Sequence, residues 1–159
     1  ESTGRLLTKA EFLAQGGSRK LAANLSAEGF QVAIGPQGPI VLTGRDVRKL
    51  QLAKGAIRAG IETLLSVGGI NYQELDEIIL AGAFGSFLSR ESALGIGLLP
   101  PVEPKRVRSV GNAAGEGAKR VLLSSQERER AEKIARQLEY IELAGRADFQ
   151  EYFMEGMLF

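Results

Sequence analysis

Apolar residues recur along this chain with two different spacings, and the switches between them mark out its elements. Helical spacing comes first. Leu6, Leu7, Ala10, Phe12, Leu13 and Ala14 predict a helix over Leu6–Gln15, ended by Gly16-Gly17. Lys20–Leu25 is a weaker apolar segment, read as loop or short helix. Alternation takes over at Phe30, Val32 and Ile34, which predicts a strand. Gly35-Pro36-Gln37-Gly38 is a turn sequence, and Ile40-Val41-Leu42 is the returning strand, so residues 30–42 form a β-hairpin. Thr43 and Asp46 then stand at the positions of a capping box and open the longest helix, Gly44–Val67. Leu50, Ala53, Ile57, Ile61 and Leu64 make its apolar face, with Gln51, Lys54 and Arg58 as a polar stripe alongside. Gly55, Ala56, Ala59 and Gly60 leave a further side nearly bare, which allows close approach of a second element. This helix is therefore expected to be covered on two sides. Lys54 sits at the angular edge of the apolar face. There it either carries its ammonium out along a flexible stem, joins a structural ion pair, or reaches a buried anion.

Beyond Gly68-Gly69, Asn71 caps a short helical turn. Ile78-Ile79-Leu80-Ala81 is wholly apolar, the pattern of a strand buried on both faces. Gly82-Ala83-Phe84-Gly85 breaks it as a turn, and Ser89–Gly95 reads as a short helix. Leu98-Leu99-Pro100-Pro101 is a rigid connection. Val107–Val110 is the next strand, Gly111 ends it, and Asn112 caps a helix from Ala113 to Leu123. Ser124 and Glu127 open another helix through Leu138, with Ala131, Ile134, Ala135 and Leu138 as its buried side. Tyr140–Leu143 reads as a further strand. Ala147–Met157 is a closing helix whose Phe149, Phe153 and Met157 recur every four residues, a core stripe. A hairpin, a long helix and three β–α units predict an α/β fold, with one mixed sheet carrying helices on both faces.

Composition narrows the chemistry. Of 159 residues, 44% are apolar and 25% charged, the balance of a water-soluble globular chain with a core of its own. A net charge of +1 and the lack of a basic block argue against nucleic acid as partner. There is no cysteine and no histidine. Disulfides and cysteine-ligated iron–sulfur clusters are excluded within this sequence, and a zinc site loses its usual ligands. Acid–base work would fall to Asp, Glu, Lys or Tyr. No apolar run is long enough to span a membrane and no secretory leader is read, so a cytoplasmic location is expected. The first residue is Glu1 and not Met, which we read as a piece of a longer protein.

Two strand-to-helix corners remain as candidate chemistry: Gly82-Ala83-Phe84-Gly85 and Gly111-Asn112-Ala113-Ala114-Gly115. On one parallel sheet both would sit at the carboxyl edge, where α/β proteins bind ligands. Small residues let a ring or sugar approach, and free N–H groups at a helix start attract anions. Spacing alone leaves ligand binding and tight packing as equal alternatives. A Rossmann glycine fingerprint is missing from the strand-to-helix context, and Gly115-Glu116-Gly117-Ala118-Lys119 does not have the Walker A spacing. The carboxylate pairs Asp76/Glu77 and Asp148/Glu151 read as surface or capping charge.

Four segments in order carry a family resemblance: Gln51–Ile61 (QLAKGAIRAGI), Leu80–Gly85 (LAGAFG), Val110–Ala118 (VGNAAGEGA) and Glu142–Phe149 (ELAGRADF). Together they resemble the C-terminal region of the reductive activators of corrinoid proteins, over nearly the whole chain. That resemblance implies a nucleotide-binding domain of the acetate/sugar kinase, Hsp70 and actin type. It implies ATP, with Mg in the full-length protein, driving reduction of a corrinoid cobalt from Co(II) to Co(I). Electrons would enter through a [2Fe–2S] ferredoxin domain, which this cysteine-free sequence lacks. The expected partner is a corrinoid iron–sulfur protein or a corrinoid methyltransferase component. The resemblance further implies that residues 30–159 form the ribonuclease-H-like C-terminal half of the ATPase domain, with residues 1–29 a helical segment packed on it. Gly82, Ala83, Phe84 and Gly85 would line adenosine, with Gly111, Asn112, Ala113 and Ala114 as a second contact. Lys54 and Arg58 would face the cleft. No residue is assigned a catalytic role. Two other readings stand beside this one: the C-terminal half of a small-molecule kinase of the same superfamily, or a non-catalytic module for homodimerisation or docking.

Overall fold

The computed structural model describes residues 5–159; residues 1–4 of the expected N-terminal segment lie outside the described residues. The described chain is a mixed α/β structure with small sheets. Short helices α1 (Lys9–Ala14) and α2 (Arg19–Ala22) come first. Thr8 caps α1 through its hydroxyl, which accepts from the Glu11 N–H, while the Glu11 carboxylate takes the Thr8 N–H at 2.8 Å. Strands β1 (Phe30–Gly35) and β2 (Gly38–Leu42) form the expected antiparallel hairpin, with Gly35 opposite Gly38 and an irregularity between Gln31 and Ala33.

Helix α3 (Gly44–Gly68) begins at the expected capping box: the Asp46 carboxylate accepts the Thr43 N–H at 3.0 Å. It ends at Gly69, whose φ of 61° is open to glycine without strain. Its buried stripe differs from the expected one. Lys54, Gly55, Ala59 and Thr63 are buried, whereas Leu50, Ala53, Ile57 and Leu64 are exposed and Ile61 half-buried. The cause is helix α8 (Ala147–Gly156), which lies against the bare side. A Cβ on Gly156 would come within 3.2 Å of the Gly55 Cα, and one on Gly55 within 2.8 Å of Met157 Cγ. Two glycines thus set the distance between the helices, and large apolar residues could not occupy that face. The rings of Phe149 and Phe153 stack with centroids 6.4 Å apart on α8.

Strands β3 (Ile78–Ala81) and β4 (Val107–Gly111) pair in parallel and form a second sheet of their own. The single mixed sheet is therefore not formed among the described residues. Tyr140–Leu143 is no strand. Glu142 instead accepts the Tyr140 hydroxyl at 2.7 Å and the Ala144 N–H at 3.1 Å, local bonds that replace a ladder. With only one neighbour, β3 is not buried on both faces either: Ile78 and Leu80 pack inward, while Ile79 is half exposed and Ala81 exposed.

The core lies between this parallel pair, Ile61 of α3, and the segment from Ala93 to Val102. Ala93, Leu98, Leu99 and Val107 are its centre, with Leu88, Leu94 and Ile96 packed against them. Helix α4 (Gly82–Phe87) and helix α5 (Arg90–Gly95, capped by Ser89) connect the two strands. Helices α6 (Ala113–Leu123) and α7 (Ser125–Ala135) follow β4 and pack chiefly on each other. α7 stops three residues before Leu138. Its expected inner side is largely open: Ala135, Ile134 and Leu138 are exposed.

Candidate functional site

The β3–β4 register fixes the geometry of the two corners. Ile78 lies opposite Val107, Leu80 opposite Ser109, and Ala81 opposite Gly111, the register slipping by one residue at Val110. The slip draws the ends of the two strands level, so Gly82 and Gly111 leave the sheet side by side at its carboxyl edge. Both need positive φ, 87° at Gly82 and 62° at Gly111, which an L side chain would strain.

The first corner differs from expectation in form. Gly82–Gly85 is not an open turn but the first turn of α4. Gly85 makes that possible. It is buried, and a Cβ there would stand 2.8 Å from Leu80 Cβ and 3.1 Å from the Leu80 carbonyl oxygen. The chain reverses directly from strand into helix because nothing projects at this point. Ser86, one turn on, donates its hydroxyl to the Gly82 carbonyl at 3.3 Å. The Ser86 hydroxyl oxygen also lies 4.0 Å from where a Gly111 Cβ would be, so Ser86 is close to both corners. Sequence reasoning did not single Ser86 out, and its spacing from Gly82 becomes informative only once 82–87 is helical. The side chain of Phe84 lies outside what the structure describes.

The second corner has the expected form. Asn112 accepts the Gly115 N–H through Oδ1 at 3.0 Å and caps α6. A Cβ on Gly115 would meet the Asn112 amide at 2.5 Å, so Gly115 makes room for the cap. Ala83, Ala113 and Ala114 are exposed, and a Cβ at Gly82 would meet nothing within 4 Å. Around the two corners the main chain is accompanied by the methyl groups of Ala83, Ala113 and Ala114 and by the exposed side chains of Ser86 and Asn112.

Lys54 and Arg58 are not brought to these corners. They line a separate cavity of about 510 Å³ between α3, α8 and the loop after α5. Lys54 is 2% exposed, donates to the Leu158 carbonyl, and holds its ammonium 4.7 Å from the centroid of the Phe159 ring. Burial, with the nearby Arg58 charge, lowers its pKa. Arg58 pairs with Glu62 one turn along at 2.5 Å. A further cavity of about 480 Å³ lies between the N-terminal segment and the start of α3. Among the described residues no group of three or more Asp and Glu residues could hold a metal ion. No helix of the described residues is long and apolar enough to cross a membrane.

What the fold and edge define is a mixed α/β domain with paired strand-to-helix junctions on one parallel sheet. Residues 5–159 match the family described as the C-terminal domain of RACo, the ASKHA domain, and the chain belongs to that family. It is 44% identical over 125 residues to the corrinoid activation enzyme RamQ of Eubacterium limosum, covering 78% of this chain and 21% of that protein. It is 28% identical over 120 residues to the [Co(II) methylated amine-specific corrinoid protein] reductase of Methanosarcina barkeri, covering 74% of this chain and 22% of that protein. Among solved structures, it superposes with a TM-score of 0.73 on a reductive activator for corrinoid, iron–sulfur protein. That match is 33% identical and covers 84% of this chain and 22% of the other. The chain thus spans about a fifth of the length of the curated relatives it matches.

Proposed function

We propose that this chain is the ribonuclease-H-like C-terminal part of the nucleotide-binding domain of an ATP-dependent reductive activator of corrinoid proteins. The observation that carries the reading is the pair of glycine corners, level with each other at one sheet edge, in a chain of this family. Gly82 has open space where a side chain would stand, and Ala83, Ala113 and Ala114 offer only methyl groups. These small groups support a reading in which a planar base and a sugar approach the main chain of both corners. ATP, when bound, would supply the free energy for an uphill electron transfer to the corrinoid cobalt, from Co(II) to Co(I).

This chain's part is to hold and orient the nucleoside. The β3–β4 ladder sets the spacing of the two corners, Ser86 bonds back to Gly82 at the first, and Asn112 fixes the first turn of α6 at the second. The [2Fe–2S] centre would be bound outside this sequence, which contains no cysteine, and Mg would accompany the phosphates of the nucleotide. The partner would be a corrinoid iron–sulfur protein or a corrinoid methyltransferase component, in keeping with the names of the relatives.

The test is titration of the full-length protein with ADP, wild type against Gly82→Val. The valine Cβ would meet nothing within 4 Å, while the side chain fills the open corner and disfavours its φ. The expected outcome is at least about a tenfold loss of affinity, 1.4 kcal/mol or more. Equal affinity in the two proteins would remove the corners from the nucleotide site.

A further inference from the structure

Helix α4 has sides that packing accounts for and one that it does not. Gly85 is buried against Leu80, and Leu88, just beyond the helix, packs on the core. Ser86 gives its hydroxyl to the Gly82 carbonyl and lies close to Gly111. Ala83 and Phe87 stand two residues before and two residues after Gly85. At 3.6 residues per turn both fall on the face opposite the buried one. Phe87 is 91% exposed, more than any other large apolar side chain among the described residues.

A phenylalanine ring in water forgoes the burial that apolar area favours. This one stands a single helical turn from Ala83, a spacing that puts the Cβ atoms about 5–6 Å apart. Aromatic side chains on a helix lean back toward its N-terminus. The reach of the Phe87 ring is therefore toward Ala83 and the Gly82 corner, and the Ala83 methyl is too small to cover its face. A planar aromatic group suits such a place. It gains a stacking surface on the ring, with no call on a charge or on the N–H groups of the helix. A sugar or a phosphate would gain little from the same ring.

We infer that Phe87 is the stacking residue for the nucleobase, taking one face of the ring while the sugar lies toward the Gly82 and Gly111 corners. The inference rests on the nucleotide reading of those corners and adds the side chain that favours a nucleoside over a bare phosphate. Every base has a π-face, so the ring favours bases as a class and not adenine alone.

The test titrates the full-length protein with ADP in Phe87→Ala, Phe87→Leu and Phe87→Trp, beside wild type and Gly82→Val. Phe87→Ala and Phe87→Leu are each expected to weaken ADP by about tenfold, the scale of one base–aromatic stack, with the unfolding midpoint in the absence of nucleotide unchanged. Phe87→Trp should keep the wild-type affinity. Its indole emission, measured over the wild-type background, should change with ADP and not with inorganic pyrophosphate. Wild-type affinity in Phe87→Leu would overturn the stacking role, because apolar bulk would then suffice. A lowered midpoint in Phe87→Ala would assign the ring to packing instead. If Phe87→Ala binds ADP as wild type does while Gly82→Val loses affinity, the inference falls and the reading of the corners stands. If Gly82→Val also keeps its affinity, both fall.

Discussion

The contact between α3 and α8 and the edge formed by β3, β4 and α6 are built from the same residue types to opposite ends. Both depend on glycine and alanine. At the helix contact Gly55 and Gly156 have no side chains because another backbone is already there. At the sheet edge Gly82 has none and nothing has taken its place. A missing side chain is therefore ambiguous until the neighbours are known, and it marks packing in one region and access in the other. The regions also differ in how they are held. The helix contact is long-range, joined by Gln51 donating to the Met157 carbonyl at 3.1 Å. The edge is a two-stranded parallel ladder finished by the local Asn112 cap, and α6 beyond it exposes Leu122 and Leu123, with Leu123 84% exposed.

Substitutions that add bulk should break this contrast most sharply. Gly55→Val drives a branched side chain into Met157 and the Phe153 carbonyl, and should cost about 2–3 kcal/mol by urea unfolding. A loss no larger than that of a surface substitution would mean the helices are not in close contact. Asn112→Ala should cost about 1 kcal/mol, the value of one helix cap, because the edge depends on that local bond.

Thr63→Val sharpens the other side of the comparison. The Thr63 hydroxyl is fully buried on α3 with no hydrogen-bond partner, so an isosteric methyl should leave stability unchanged or raise it by up to about 1 kcal/mol. A clear loss would show that the hydroxyl has an acceptor.

A pH effect confined to α1 should be smaller. Arg5 first, and the Thr8 N–H next, hold the Glu11 carboxyl down to about 2 from its ordinary 4.5. A depressed carboxyl stabilises the folded form once ionised. Its contribution is thus complete above pH 4.5 and disappears as the pH falls through about 2. Following the Glu11 carboxyl by NMR, with the α1 amides, would show whether the two change together. Smallest of all, Leu123→Gln should leave stability within about 0.5 kcal/mol, since that side chain contacts mainly solvent.

The local rules were readable from sequence. Thr43 with Asp46, Asn71, Ser89, Asn112 and Ser124 all stand at helix starts, and Gly69 at a helix end. Each is decided by bonds within a few residues, so no distant neighbour can change it. What could not be read was which surface a distant element covers. Leu50, Ile57 and Leu64 obey the helical period and still point outward, because α8 needs the smaller side of α3. Ile78–Ala81 was read as a strand enclosed on both faces, yet it has one neighbour. Of the candidate site, the two corners and the Asn112 cap were legible, while the helical form of 82–87 and the place of Ser86 were not. The separation of Lys54 and Arg58 from the corners depends on α8 as well, and α8 is about a hundred residues further along.

Among the described residues the hairpin and the parallel pair share no ladder, and each is two strands wide. Two-stranded sheets confer little cooperativity by themselves. Heating this chain alone should therefore give a calorimetric enthalpy larger than the van't Hoff value. Amide deuteration should run in a fixed order, with β1 and β2 exchanging early and the middle of α3, under α8, exchanging last. The long helix braced by α8, and neither sheet, is then the last part of the chain to open.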